Sequence, residues 1–120
     1  VERQQLDKAE EMSYRTVKAE PSNGTYLDTY AWILFEKGKY TEARIYIDQA
    51  MLNGGAESSV VVEHCGDIYY LNGEREKALE YWKQAEKLAK EVENNEDEAR
   101  TPKEMKLLRK KILNKKYFVK

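Results

Sequence analysis

The sequence predicts an all-α chain, an antiparallel helix-hairpin solenoid of about six helices that ends in a C-terminal capping helix. Three observations predict it. The segment Gly38-Lys-Tyr-Thr-Glu-Ala43 returns as Gly73-Glu-Arg-Glu-Lys-Ala78, and Ala50 returns as Ala85, each at an offset of 35 residues. Apolar-periodic stretches, Tyr26 to Phe35 and Val61 to Leu71, stand before the two glycines. The 120 residues hold only two prolines and six glycines, few enough for long helices with short breaks. Self-similarity at a period of about 20–50 residues marks stacked supersecondary units. Such units bury one continuous core and leave a long surface free. A chain of this length buries about two-thirds of its unfolded surface, enough for one core.

The first element, residues 2 to 20, carries Leu6, Ala9, Met12 or Ser13, Thr16 and Val17 at helical spacing. Glu20-Pro21 ends it, because proline disfavours helical geometry in the residue before it. Ser22 or Asn23 caps a second helix with Leu27, Tyr30, Ala31 and Leu34 on one face. Gly38 stops it by entering the left-handed region without steric cost. A third helix carries Ala43, Ile47 and Ala50 and is broken by Asn53-Gly54-Gly55. Ser58 or Ser59 caps a fourth, with Val62, Cys65, Gly66 and Tyr69 inward. After Gly73 a fifth carries Ala78, Trp82 and Ala85 to about Glu93. The acidic stretch 94–101 has no apolar period and reads as a loop. Thr101-Pro102-Lys103-Glu104 then starts a sixth helix, with a threonine cap, a reciprocating glutamate and a proline where no amide donor is needed. Met105, Leu108 and Ile112 are its apolar stripe.

Helices joined by a tight glycine turn approach closely only where side chains at the crossing are small. Ala31 with Ala43, and Gly66 with Ala78, suit that role, and Leu34, Ile47, Tyr69 and Trp82 fill the space beside it. Here the chain resembles the tetratricopeptide repeat family, whose pattern is W-x2-L-G-x2-Y, then A-x3-F, then P. Leu27 and Val62 stand at the tryptophan place, Tyr30-Ala31 and Cys65-Gly66 at the Leu-Gly pair, and Leu34 and Tyr69 at the tyrosine place. Ala43 to Ile47 and Ala78 to Trp82 supply the A-x3-F element, and Ala9 and Pro21 match as the second helix of a preceding repeat. The resemblance divides the chain into 1–23 (partial repeat), 24–58 and 59–93 (full repeats), an acidic loop 94–101, and a basic capping helix and tail 102–120. It departs from the family where Asn53-Gly54-Gly55 replaces a closing proline, and in a period one residue longer than the family's about 34.

Several function classes find no support in the residues. There is no apolar run near the roughly 18 residues of a membrane span. The single cysteine, Cys65, rules out an internal disulfide framework. His64 and Cys65 are neighbours on a helix and point about 100° apart, so they cannot act on each other as base and nucleophile. Catalysis, cofactors and metals are therefore not expected. Glu63 and Asp67 share a helix face and could serve acid–base chemistry or a cation, but two ligands on one rigid helix are too few. A solvated or lysine-paired acidic face is the better reading.

The resemblance implies that the first helix of each pair lines an inner groove. Carried onto this sequence, that places Asp28, Trp32, Phe35 and Glu36, then Glu63, Asp67, Tyr70 and Leu71, in a partner-binding surface. Aromatics beside carboxylates suit a protein or peptide segment with basic or apolar groups. The alternative is that these aromatics only fill the groove, or are covered by the sixth helix or a flanking repeat. Some family members hold a partner's terminal carboxylate with a cationic clamp, but Asp28, Trp32, Glu63 and Asp67 would repel it.

Charge is unevenly spread: residues from Pro102 onward carry +7 and the remainder −8. A basic tail can attract nucleic acid or anionic lipid. No interleaved aromatic or glycine motif accompanies it for reading bases, and its apolar stripe argues that it packs on the acidic repeats, so no nucleic acid is expected. The leading half repeat suggests homo-oligomers through an open N-terminal face, with assembly as the competing function. The chain begins Val1-Glu-Arg-Gln without Met, as a processed or excised piece would. The contexts Asp-Thr-Tyr-Ala-Trp and Glu-His-Cys-Gly-Asp resemble those of bacterial repeat proteins, some from the cell envelope, with the cytoplasm as the alternative location.

Overall fold

The structure, a computed structural model, describes residues 3–118. Six helices run α1 Arg3–Ala19, α2 Gly24–Glu36, α3 Tyr40–Leu52, α4 Ser59–Leu71, α5 Arg75–Glu91 and α6 Pro102–Asn114, with a short 3-10 turn at Gly55–Glu57. No strand occurs among the described residues. Helices α2 and α3 form one antiparallel hairpin and α4 and α5 a second; α3 stacks on α4, α1 precedes against α2, and α6 packs on α5. The arrangement is the all-α hairpin stack expected from the 35-residue offset.

Local chemistry explains the boundaries. Of the candidate caps, Asn23 accepts from the Tyr26 amide at 3.0 Å and Ser58 from that of Val61 at 3.4 Å. The two hairpin turns are built alike. Gly38 (φ 80°) and Gly73 (φ 86°) take the left-handed conformation, and the amides after them, of Lys39 and Glu74, return to Leu34 O at 2.9 Å and Tyr69 O at 3.0 Å. At α6 the Thr101 hydroxyl accepts from the Glu104 amide at 3.1 Å, and the Glu104 carboxylate accepts from the Thr101 amide at 2.9 Å. This reciprocal cap fixes where α6 begins.

The core is a continuous stripe through both hairpins: Leu27, Ala31 and Leu34 with Ala43, Ile47 and Ala50, then Val62, Cys65 and Ile68 with Ala78, Trp82 and Ala85, all fully buried. A Cβ built on Gly66 would lie 2.5 Å from Trp82 Cδ1 and 3.1 Å from Ala78 O. Glycine therefore makes room for the indole. At the equivalent places of the first hairpin, the larger Ala31 accompanies the smaller Ile47.

Helix α1 has one neighbouring helix rather than two, so its covered stripe is narrow. Ser13 and Val17 are buried, whereas Met12 is 66% exposed; of the two candidates for that place, the stripe runs through Ser13. Polar contacts reinforce the joint. Lys37, at the α2–α3 turn, donates to Glu10 and pairs with Asp7 at 2.5 Å, and Lys39 donates to Glu10 at 2.9 Å. Tyr14, Tyr30 and Tyr46 meet across α1, α2 and α3, the first pair tilted at 5.7 Å between centroids and the second edge-on at 4.7 Å.

Gly66→Ala is expected to cost about 1–3 kcal/mol, as overpacking of a rigid core does. Gly38→Ala has open space around its Cβ and only the left-handed backbone to bear, about 1–2 kcal/mol. Chemical denaturation ranks the two; a Gly66→Ala variant as stable as wild type contradicts the close approach.

Candidate interaction groove

Helices α2 and α4 neighbour each other, and α6, packed on α5, reaches α4 through Lys111. On α2, the Trp32 ring stacks on His64 of α4 at 4.1 Å and on Phe35 at 4.7 Å. His64 Nδ1 lies 2.9 Å from Asp28 Oδ1, and since a carboxylate only accepts, this nitrogen carries the proton. The three α2 side chains and His64 thus form one aromatic platform, with Trp32 half-buried, Phe35 buried and Glu36 exposed at its end. Tyr70 stacks on Trp82 at 5.7 Å beneath the Arg75 guanidinium, so its ring serves the second hairpin as much as the surface. Leu71 is half-buried beside it.

Glu63 and Asp67 are not free acidic groups of the groove, as their place in the binding set assumed. They are 3% and 2% exposed, because α6 lies across them. Lys111 Nζ donates to Glu63 Oε2 at 2.5 Å and to both oxygens of Asp67 at 2.9 and 3.1 Å. Arg100 pairs with Glu63 Oε1 at 2.6 Å, and Trp82 Nε1 donates to Asp67 Oδ1 at 3.0 Å. Two carboxylates therefore meet two cations, and the cluster carries no net charge to offer a basic partner. The physical reason is the i,i+4 spacing, which aims both carboxylates at the position α6 takes.

Burial pushes the Glu63 carboxyl up, but Lys111 and Arg100 outweigh it and hold it below the usual range. Burial dominates at Asp67 and raises it to about 6 despite Lys111, with the Glu63 charge adding to the rise. The hydroxyl of Ser59 ties the cluster to the second hairpin, donating to Ala85 O at 2.8 Å and accepting from Arg100 at 3.3 Å.

The segment after α6 enters the same face. Lys115 takes the left-handed conformation (φ 51°) and turns the chain, and Tyr117 meets Phe35 edge-on at 5.6 Å with Lys111 5.3 Å from its own ring centroid. Sequence reasoning assigned the basic helix to the acidic repeats but missed Arg100, Lys111 and Tyr117 as the particular groups. The charge imbalance pointed to the pairing; no periodicity marked Tyr117.

Cys65 faces the core, opposite in role to its neighbour His64, and burial pushes its thiol up to about 12. Among the described residues no group of three His, Cys, Asp or Glu side chains is placed to hold a metal ion, and no helix is long and apolar enough to cross a membrane. No protein-family model matches the sequence, and no curated protein shows significant similarity to it.

The cluster sets a pH dependence. A carboxyl raised in the folded state stabilises the fold below its unfolded value near 3.8, and that contribution is lost as pH rises through about 6. From Asp67, stability is thus expected to rise by ~1 kcal/mol between pH 7 and pH 5. Glu63, held low, loses its contribution only as pH falls further. Asp67→Asn removes the rise while leaving Lys111 paired to Glu63. Lys111→Met strands the carboxylates and costs about 3–5 kcal/mol at pH 7, less at pH 5 where Asp67 takes up a proton. Denaturation midpoints at both pH values check this; an equal loss at both contradicts it.

Proposed function

We propose that the protein is a non-catalytic interaction scaffold of the tetratricopeptide type, whose concave face holds a partner segment bearing aromatic and basic groups. The observation that carries this reading is Tyr117. A non-helical stretch of the chain, Lys115-Lys116-Tyr117-Phe118, sets an aromatic ring edge-on against Phe35, which itself stacks on Trp32. It supplies an example of the ligand chemistry the face accepts. An aromatic contributes area at low entropy cost, and flanking lysines answer Glu36 and the acidic repeats. The working surface is then Asp28, Trp32, Phe35 and Glu36 with His64. Glu63 and Asp67 support it from beneath, and Tyr70 and Leu71 lie at its far edge.

Assembly through the N-terminal face is the weaker reading. The only large apolar residues that α1 exposes are Met12 and Tyr14, set among Gln5, Glu11, Arg15 and other polar groups. An apolar face of that size resembles ordinary surface more than an obligate interface.

A chain ending at Asn114 is expected to bind the separate peptide of residues 115–120, read by fluorescence anisotropy of a labelled peptide. Replacing Tyr117 in the peptide by Ala, or Trp32→Ala in the chain, weakens capture about 10-fold, the scale of one interfacial aromatic. The reading fails if the shortened chain stays folded and takes up no peptide, or takes up the alanine peptide equally well.

A further inference from the structure

The basic residues of α6 divide into two sets. Lys111 faces inward to Glu63 and Asp67, together with Arg100 from the preceding loop, and Arg109 pairs with Glu86 at the surface. Lys103, Lys106 and Lys110 face the other way, and among the described residues none has a carboxylate within ion-pair reach. Their spacing of three and four places them on one side of the helix, along about 10 Å of its axis. They rim a cleft of about 600 Å³ that has Leu107 as an apolar wall and Glu63 and Arg100 at its back. Those two back-wall charges neutralise each other at 2.6 Å, and Arg100 also lies 3.4 Å from Glu104. Glu104 stands in the same lining, so four cations face two carboxylates and the cleft offers a surplus of two positive charges around an apolar patch.

We propose that this cleft is a docking site for an acidic amphipathic helix of a partner protein. Carboxylates at the same three-and-four spacing, on a helix laid along α6, reach the three ammonium groups, and an apolar side chain between them covers Leu107. Charge complementarity selects the partner and speeds its capture, and the apolar contact adds residence. The concave shape favours a peptide over a flat lipid surface. No aromatic side chain lines the cleft, as stacking on single-stranded nucleic acid would need. The lysines of the site all come from α6, and it does not depend on the Trp32 platform binding anything.

The probe is an acetylated and amidated peptide of about 15 residues, helical by design, with three Glu at that spacing and one Leu between them. Binding to the full chain is measured by anisotropy at about 50 and about 300 mM salt, since surface charge attraction fades with screening. The expected result is saturable binding, weaker at the higher salt. It falls at least about 10-fold in the triple variant Lys103→Gln/Lys106→Gln/Lys110→Gln, and is unchanged in Lys83→Gln/Lys87→Gln, which alters exposed lysines elsewhere. These are exposed positions, so circular dichroism should show an intact fold. Replacing the peptide's Leu by Ala is expected to weaken binding several-fold. The proposal is overturned if the triple variant binds like wild type, or if polyglutamate binds as tightly as the Leu peptide. It is overturned equally if phosphatidylserine vesicles or duplex DNA are captured through the same lysines while the peptide is not.

Discussion

The indole of Trp82 joins the two halves of the architecture. Its edge occupies the space that Gly66 leaves open, which closes the second hairpin. Its Nε1 donates to Asp67, and Asp67 takes Lys111 from α6. Helix crossing, buried charge and cap are thus one chain of contacts rather than three features. A smaller residue at position 82 would leave a cavity over Gly66 and remove a donor from Asp67 together. The indole is among the few side chains that fill such a volume and still present a polar edge.

This arrangement alters the electrostatics of the inner face. In the sequence, four acidic residues at inner positions suggest a surface that selects cations. In the structure, Glu63 and Asp67 meet Lys111 and Arg100, and Asp28 meets His64. Only Glu36 stays open at the α2 end. The unpaired charge has moved to the outer lysines of α6. The face is therefore graded, aromatic and weakly acidic at α2, neutral across α4, and basic along α6. A partner crossing the whole face would need the opposite gradient, with basic and aromatic groups at one end and carboxylates at the other.

What could be read in advance follows from how local each signal is. Gly38 and Gly73 announce their turns because a left-handed backbone leaves few alternatives to glycine. The Thr101–Glu104 cap is written within four residues, and the core stripe repeats at helical spacing through Leu27, Ala31 and Leu34. The pairing of Lys111 with Glu63 and Asp67 spans 48 and 44 residues, and nothing near Lys111 distinguishes it from Lys110. Only the rotation of α6 on α5 decides which of the two is buried. Tyr117 was equally illegible, since its place depends on the turn at Lys115 rather than on any periodic pattern.

A buried ion cluster is an uncertain source of stability, because removing charges from water costs several kcal/mol per ion and the attraction between them returns about as much. Here its greater effect is on position. The apolar stripe of α6, Met105, Leu108 and Ile112, would tolerate sliding or rotating on α5 by part of a turn. Lys111 does not tolerate it. Any rotation that withdraws the ammonium leaves Glu63 short of a partner and removes the cation that opposes the effect of burial on Asp67. The same constraint sets which lysines point outward and where the segment carrying Tyr117 leaves the helix. The register of one buried lysine thus fixes both the basic cleft and the place where the segment carrying Tyr117 leaves the helix, and a hydrophobic residue at position 111 loses that registration together with the pairing.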